Sequence, residues 1–205
     1  MNEAECREWL ETGLGCDAAA LDRLERYVRL LREESSRQNL VSKATLDDIW
    51  FRHIVDSAQL AHHLPDGCRT LLDIGSGAGL PGIVLACVSD CTIVLAEPRA
   101  KRAAFLRAVT GALGIAGRVS MFAGYIQRYS GSTFDAIAAR AVAPTDVIIG
   151  WGKHLASDKT SWILPRGRNG CEELANSAHR SAFHVKRSVT DPASVILVGR
   201  LGEGP

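Results

Sequence analysis

Apolar residues Leu21, Leu24, Val28 and Leu31 recur at helical spacing between charged positions over residues 17–34, which predicts an amphipathic helix whose start Asp17 or a nearby residue can cap. A second helix is expected where Thr45 and Asp48 fit a capping-box-like start and Leu46, Ile49, Trp50, Ile54 and Leu60 form one broad apolar stripe, with Trp50 and Phe51 read as packing residues. Residues 1–64 therefore read as a helical cap, closed by the turn Pro65-Asp66-Gly67. Beyond it the pattern changes to short apolar runs at Thr70–Ile74, Thr92–Ala96, Val119–Phe122, Phe134–Ala139, Ser161–Leu164, Phe183–Val185 and Val195–Leu201. These predict strands, most of them buried on both faces, with helices at Pro81–Val88, Arg99–Leu113 and Thr145–Leu155. Alternating strands and helices imply that residues 65–205 form an α/β domain around a doubly wound, mostly parallel sheet, the two parts making one compact unit. Ligands of such sheets sit beyond the carboxyl ends of the strands, so chemistry is expected on the loops after the first four.

The composition changes this picture little. The chain has 205 residues, 46% apolar, with 24 Lys+Arg against 23 Asp+Glu. That suits a globular domain and excludes disordered and fibrous classes. The longest apolar run, Leu80–Val88, is less than half a membrane span, and the acidic start Met1-Asn2-Glu3-Ala4-Glu5-Cys6 does not resemble an export signal, so a cytoplasmic protein without membrane partners is expected. Six cysteines are scattered without a CxxC pair, which predicts free thiols and no metal. The charge is uneven: residues 99–187 hold 14 basic and 5 acidic side chains, a balance suited to a polyanion. Aromatic residues are only 6%, which disfavours single-strand binding by base stacking.

The strongest local signal is Asp73-Ile74-Gly75-Ser76-Gly77-Ala78-Gly79-Leu80-Pro81-Gly82, four glycines directly after one predicted strand and before a helix. Glycine admits positive φ and lets a ligand approach the backbone, so Gly75, Ser76, Gly77, Gly79 and Leu80 are candidates for cofactor contact. Gly77-Ala78-Gly79-Leu80-Pro81-Gly82 matches the dinucleotide pattern GxGxxG, with Glu97 twenty residues past Gly77. Read from Gly75 instead, the segment resembles motif I of class I S-adenosylmethionine methyltransferases. In that register Asp73 faces the cationic amino end of the cofactor and Glu97 accepts from the ribose hydroxyls. Asp73 would repel a pyrophosphate, and the chain has no Tyr-xxx-Lys pair or separate substrate domain, so the methyl donor is favoured over a nicotinamide cofactor.

Further strings carry a more specific likeness: Gln38-Asn39-Leu40, Arg52-His53-Ile54-Val55-Asp56-Ser57, the glycine loop with its Gly-Leu-Pro-Gly ending, Lys101-Arg102 with Phe105-Leu106, and Arg140-Ala141. Over about residues 37–167 the chain resembles the RsmG family, also called glucose-inhibited division protein B. The resemblance implies a class I methyltransferase fold, Rossmann-like and mostly parallel, with S-adenosylmethionine as donor. It also implies N7 methylation of one guanine in the helix 18 loop of 16S ribosomal RNA, either naked or in the small subunit. Position by position it places cofactor contacts at Gly75, Leu80, Ile126, Gln127 and Arg140. Family members often carry an acidic residue where Gln127 stands and Lys-Gly where this chain has Arg166-Gly167.

Guanine N7 carries a free in-plane lone pair, so no general base is expected and positioning is the main catalytic term. Arg140 is the prime candidate for coupling cofactor and RNA; its bland alternative is an ion pair with Asp135 or Asp146. Arg166 and Arg168 are candidate phosphate contacts, with Lys101 and Arg102 behind them and Arg99, Lys186 and Arg187 weaker on the same ground. His53 is read first as a satisfied, partly buried packing residue. Other readings are a non-catalytic RNA-binding module on this scaffold, or a methyltransferase for a small molecule or protein. A monomer is the default expectation.

Overall fold

The computed structural model describes residues 1–202; positions 203–205 of the expected 65–205 domain lie outside the described residues. Seven strands form one sheet in the order β3-β2-β1-β4-β5-β7-β6, where β1 is Thr70–Ile74, β2 Thr92–Ala96, β3 Val119–Phe122, β4 Ala136–Ala138, β5 Ser161–Arg166, β6 Phe183–Arg187 and β7 Val195–Gly199. The first five pair in parallel, while β7 runs antiparallel to both β5 and β6. The strand order reverses between β1 and β4, and the crevice outside their carboxyl ends is where an open α/β sheet receives its ligand. Leu71, Leu72, Ile93, Leu95, Ile137, Ile163 and Leu164 are buried on both faces, which is why these runs read as continuously apolar.

The cap begins with α1 (Glu3–Leu14), not anticipated from the sequence, whose Asn2 and Glu5 complete a capping box. Asp17 caps α2 (Ala18–Ser35) through the Ala20 amide, as expected. The next helix departs from expectation. Thr45 caps nothing; its hydroxyl donates to Ser42 O within a short 3₁₀ turn, Lys43–Thr45. The chain then winds as a π-helical turn at Trp50–Val55, an α-turn α3 (Asp56–Ala58) and a 3₁₀ turn at Gln59–His63. Cap residues Cys6, Leu10, Leu24, Leu31 and Ile54 share one core with Ile83 and Leu85 of α4 (Gly82–Val88), Ile93 of β2 and Leu106 of α5 (Ala100–Ala112), so the cap closes one face of the sheet. Tyr27 adds a polar tie, its hydroxyl donating to Ala78 O in the glycine loop at 2.9 Å.

On the other face, Ile148 and Ile149 of α6 (Thr145–Gly152) pack with Ile137, Trp162 and Leu197. Several boundaries are corrected, among them β7, which ends at Gly199 rather than Leu201. β4 is shorter than predicted because the Phe134 amide bonds Leu155 O, outside the ladder. β5 and β6 extend to Arg166 and Arg187 by antiparallel pairing with β7. α6 stops at Gly152 and finishes as a 3₁₀ turn. A short helix, α7 (Gly170–Ala175), follows β5. Among the described residues no helix is long and apolar enough to cross a membrane.

Candidate active site

The glycine loop leaves β1 at the switch point. Gly75, Gly77 and Gly79 have φ of +71°, +55° and +101°, and the Gly75 and Ser76 amides donate to Ala96 O. Two glycines answer to the protein's own packing: a Cβ on Gly79 would stand 2.6 Å from Ile83, and one on Gly82 would collide with Leu95 and Asp73. A Cβ on Gly77 meets nothing nearer than 3.7 Å, which leaves this position facing open space. A Cβ on Gly75 would reach Val142 at 2.7 Å, across the mouth of the site.

The two carboxylates flank this loop. Asp73 is fully buried; Oδ2 accepts from the Gly82 amide at 3.0 Å, and Oδ1 has no partner among the described residues. Burial pushes its carboxyl up to about 7, against the lowering effect of the Gly82 amide. An orphaned, buried carboxylate oxygen on β1, ahead of the glycine loop, is a group that a cationic amine would complete. Glu97 accepts from the Gly77 amide at 2.9 Å and the Arg99 amide at 2.8 Å, so it shapes the loop, and each oxygen keeps further acceptor capacity.

A cavity of about 170 Å³ lies over the loop, lined by Gly75, Ser76, Gly77, Leu80, Arg102 and Arg140 among others. Leu40 lines it too, brought in from the cap. Arg102, expected to meet RNA, thus borders the cofactor cavity and donates to Asn39 O at 3.3 Å. Asp73, Gly79, Glu97, Ile126 and Gln127 are not among its lining residues. Ile126 is buried and Gln127 exposed on a 3₁₀ turn after β3.

Arg140 follows β4 and is held at every nitrogen. Nε pairs with Asp56 Oδ2 at 3.1 Å, Nη1 donates to Ser57 Oγ at 3.1 Å, and Nη2 donates to Arg52 O at 3.0 Å and His53 Nδ1 at 3.1 Å. The expected counter-ions are elsewhere: Asp135 caps the Arg69 and Thr70 amides, and Asp146 bonds Ser177 and Ala178. His53 is buried, as expected, and its Nε2 lies 2.8 Å from Thr45 Oγ1. Burial, then the charges of Arg140 and Arg52, lower its pKa to about 4, so the ring is neutral at pH 7. With Nδ1 accepting from Arg140, the proton sits on Nε2. Ala141 continues the chain at φ +54°, a strained left-handed conformation for a residue with a Cβ.

Arg140 and Ala141 also border a larger cavity of about 580 Å³, walled by Arg52 and Asp56 of the cap, Arg166 at the end of β5, Glu173 of α7 and the β6–β7 connection. Arg166 corrects the phosphate expectation. It is 8% exposed, its Nε 3.1 Å from Thr145 Oγ1 and 3.2 Å from Glu173 Oε1. Lys101 and Arg168 are exposed, as phosphate contacts need to be.

The sequence model of a family described as rRNA small subunit methyltransferase G matches residues 20–194. Over 210 residues the chain is 39% identical to the ribosomal RNA small subunit methyltransferase G of Novosphingobium aromaticivorans, covering all of this chain and 90% of the relative. It is 39% identical over 188 residues to the protein of the same name from Erythrobacter litoralis, covering 90% of each. Among solved structures, the mitomycin 7-O-methyltransferase MmcR superposes with a TM-score of 0.60 at 15% identity, over 85% of this chain and 60% of that one. This likeness is one of fold, the class I methyltransferase sheet.

Proposed function

Because the chain belongs to the family of rRNA small subunit methyltransferase G, we propose that it methylates N7 of a guanine in the helix 18 loop of 16S ribosomal RNA. S-adenosylmethionine supplies the electrophilic methyl group. The observation that carries this reading is the junction of the two cavities at Arg140 and Ala141, one over the glycine loop and one beneath the cap. Asp73 Oδ1 and the open face of Gly77 support the donor site, with Leu40 and Leu80 as apolar walls. The larger cavity is the acceptor side, within the size range of pockets that enclose small ligands.

The chemistry asks little acid–base work of the protein, because N7 is unprotonated at neutral pH and attacks through its own lone pair. Arg140, fixed by four partners, is a rigid cationic wall between the two cavities, and its held geometry positions the acceptor. Exposed Arg99, Lys101, Arg168, Lys186 and Arg187 supply sequence-independent phosphate contacts. In this reading the protein works in the cytoplasm as a monomer.

The test is transfer of labelled methyl from S-adenosylmethionine to small ribosomal subunits, and to naked 16S RNA, from a strain lacking this activity. N7-methylguanosine at one site, identified by mass spectrometry, is the expected product. No incorporation with donor binding intact would leave the fold and remove the substrate.

A further inference from the structure

At the amino ends of β1 and β2, away from both cavities, two cysteines meet. The sulfur atoms of Cys68 and Cys91 are 3.6 Å apart, and Cys91 Sγ also lies 3.4 Å from Cys68 O. No other two thiols are within hydrogen-bond distance of each other among the described residues. The strand register explains the meeting: β1 pairs with β2 in parallel from Thr70 against Thr92, and the Thr92 amide donates to Arg69 O at 2.7 Å, so the residues just ahead of each strand lie side by side. Arg118 fixes the Cys91 side, Nη1 donating to Ser89 O at 3.0 Å and Cys91 O at 3.3 Å, and Nη2 to Ala86 O. On the other side the Cys68 amide donates to Pro65 O at 3.0 Å, in the turn that closes the cap.

Two sulfurs held this close are near the geometry of a bond. A disulfide sets them about 2.05 Å apart with Cα atoms within about 7 Å, a span that neighbouring strands of one sheet satisfy. The two members differ in access. Cys91 is 3% exposed, whereas Cys68 is half-buried between exposed Gly67 and Arg69, so Cys68 is the sulfur that a small reagent meets first. Once Cys68 has reacted, Cys91 is already in place, and the second step is intramolecular.

We propose that Cys68 and Cys91 are a redox-responsive pair that closes to a disulfide on exposure to a low-molecular-weight disulfide such as oxidised glutathione. The Cys68 thiolate attacks one sulfur of the oxidant, forming a mixed disulfide and releasing one glutathione thiolate. The Cys91 thiolate then attacks Cys68 Sγ, forming the protein disulfide and releasing the second. Two electrons pass from the cysteine sulfurs to glutathione, and the two thiol protons end on the two glutathiones released. The bond makes residues 68–91 a covalent loop that holds β1, the whole glycine loop and α4. Closing that loop restricts the unfolded chain, so the oxidised protein is the more stable form. Because the bond lies at the amino end of β1 and the glycine loop leaves its carboxyl end, donor binding is retained. In a reducing compartment the pair stays as two thiols, and the bond forms only under oxidant.

The experiment incubates the full chain with oxidised glutathione, alkylates the remaining thiols and maps the links by mass spectrometry of non-reduced peptides. A bond between Cys68 and Cys91 is expected, with a thermal midpoint several degrees above that of the same protein in dithiothreitol and an unchanged affinity for S-adenosylhomocysteine. Cys68→Ser should abolish both the bond and the shift. Cys87→Ser, which removes another buried thiol of the same segment, should abolish neither. Each variant is compared with itself in oxidant and in dithiothreitol, so one that is merely less stable still reports the shift. Should Cys68→Ser fail to fold, Cys91→Ala takes its place. Both thiols alkylated after oxidant, a glutathione adduct left standing on Cys68, a link through another cysteine or a midpoint indifferent to oxidant would each overturn the proposal. Loss of S-adenosylhomocysteine binding in the linked protein would refute the separation of the bond from the donor site.

Discussion

Arg140 Nε stands 3.1 Å from Asp56 Oδ2, and this pair fastens the cap to the loop that divides the two cavities. The other oxygen of Asp56 accepts from Thr190 Oγ1 at 2.6 Å and Gln59 Nε2 at 3.0 Å. Gln59 Oε1 in turn accepts from the Val189 amide. One carboxylate therefore joins three parts of the chain: the cap helix, the segment after β4 and the β6–β7 connection. Both side chains of the ion pair are less than one-fifth exposed, so solvent screens it little.

Asp56→Asn keeps the shape and removes the charge. Losing a charge-assisted hydrogen bond of this kind costs about 1–3 kcal/mol, spent here on the orientation of Arg140. The expected result is roughly a tenfold or greater fall in kcat/KM on 16S RNA, with a smaller change in S-adenosylhomocysteine affinity. Arg140→Lys should fall at least as far, since one ammonium cannot hold Asp56, Ser57, Arg52 O and His53 together. Wild-type turnover in both variants would remove Arg140 from the mechanism.

Gly77 and Gly82 sit in one loop yet predict opposite phenotypes. Gly82→Ala drives a Cβ into Leu95 and Asp73, so the thermal midpoint should fall by several degrees, as overpacking typically costs 1–3 kcal/mol. The Cβ of Gly77→Val meets no protein atom nearer than 3.7 Å, so its stability cost is chiefly the strain of φ +55°, about 1–2 kcal/mol. Donor binding should nevertheless be abolished, because the side chain fills the cavity. Calorimetry of both variants with and without S-adenosylhomocysteine separates the two effects.

Asp73 predicts a pH-dependent donor affinity. Its folded pKa of about 7 lies above the ordinary 3.8, so below pH 7 the site holds a neutral acid. A cationic amino group favours the carboxylate, hence S-adenosylhomocysteine should bind more tightly as pH rises from 6 to 8, with uptake of the amine accompanied by proton release. Asp73→Asn keeps an acceptor for the Gly82 amide and should flatten that dependence while weakening binding about tenfold or more. Calorimetry in buffers of different ionisation enthalpy reads the proton directly.

The sheet was legible because burial on both faces writes continuous apolar runs such as Leu71–Leu72 and Ile93–Leu95, and because positive φ at Gly75, Gly77 and Gly79 demands glycine. The π-helical turn at Trp50–Val55 was not, since an apolar stripe does not distinguish a four-residue from a five-residue hydrogen-bond step. Nor was the partner of Arg140: Asp56 lies far away in sequence, while the nearer Asp135 and Asp146 are engaged by local amides and hydroxyls. Arg166 misled for a related reason. Its type and loop position suggest an exposed phosphate contact, but Thr145 and Glu173, from two other elements, draw it into the wall.

His53 predicts how stability responds to acid. Its folded pKa of about 4 lies below the ordinary 6.5, so between these values the unfolded chain binds a proton that the folded protein refuses. The stabilising contribution is therefore complete above pH 6.5 and is lost as pH falls toward 4, and it amounts to about 3 kcal/mol at most. Asp73 acts in the opposite sense over pH 3.8 to 7, because its folded form holds a proton that the unfolded chain has released. The two slopes oppose each other in the wild type, and only a variant isolates either. His53→Gln retains an acceptor and a donor but does not titrate. Urea unfolding at pH 5 and pH 7.5 should show the variant losing less stability on acidification than the wild type. Equal losses would mean that the imidazole is protonated alike in both states, and that the neutral Nδ1 acceptor holding Arg140 is misassigned.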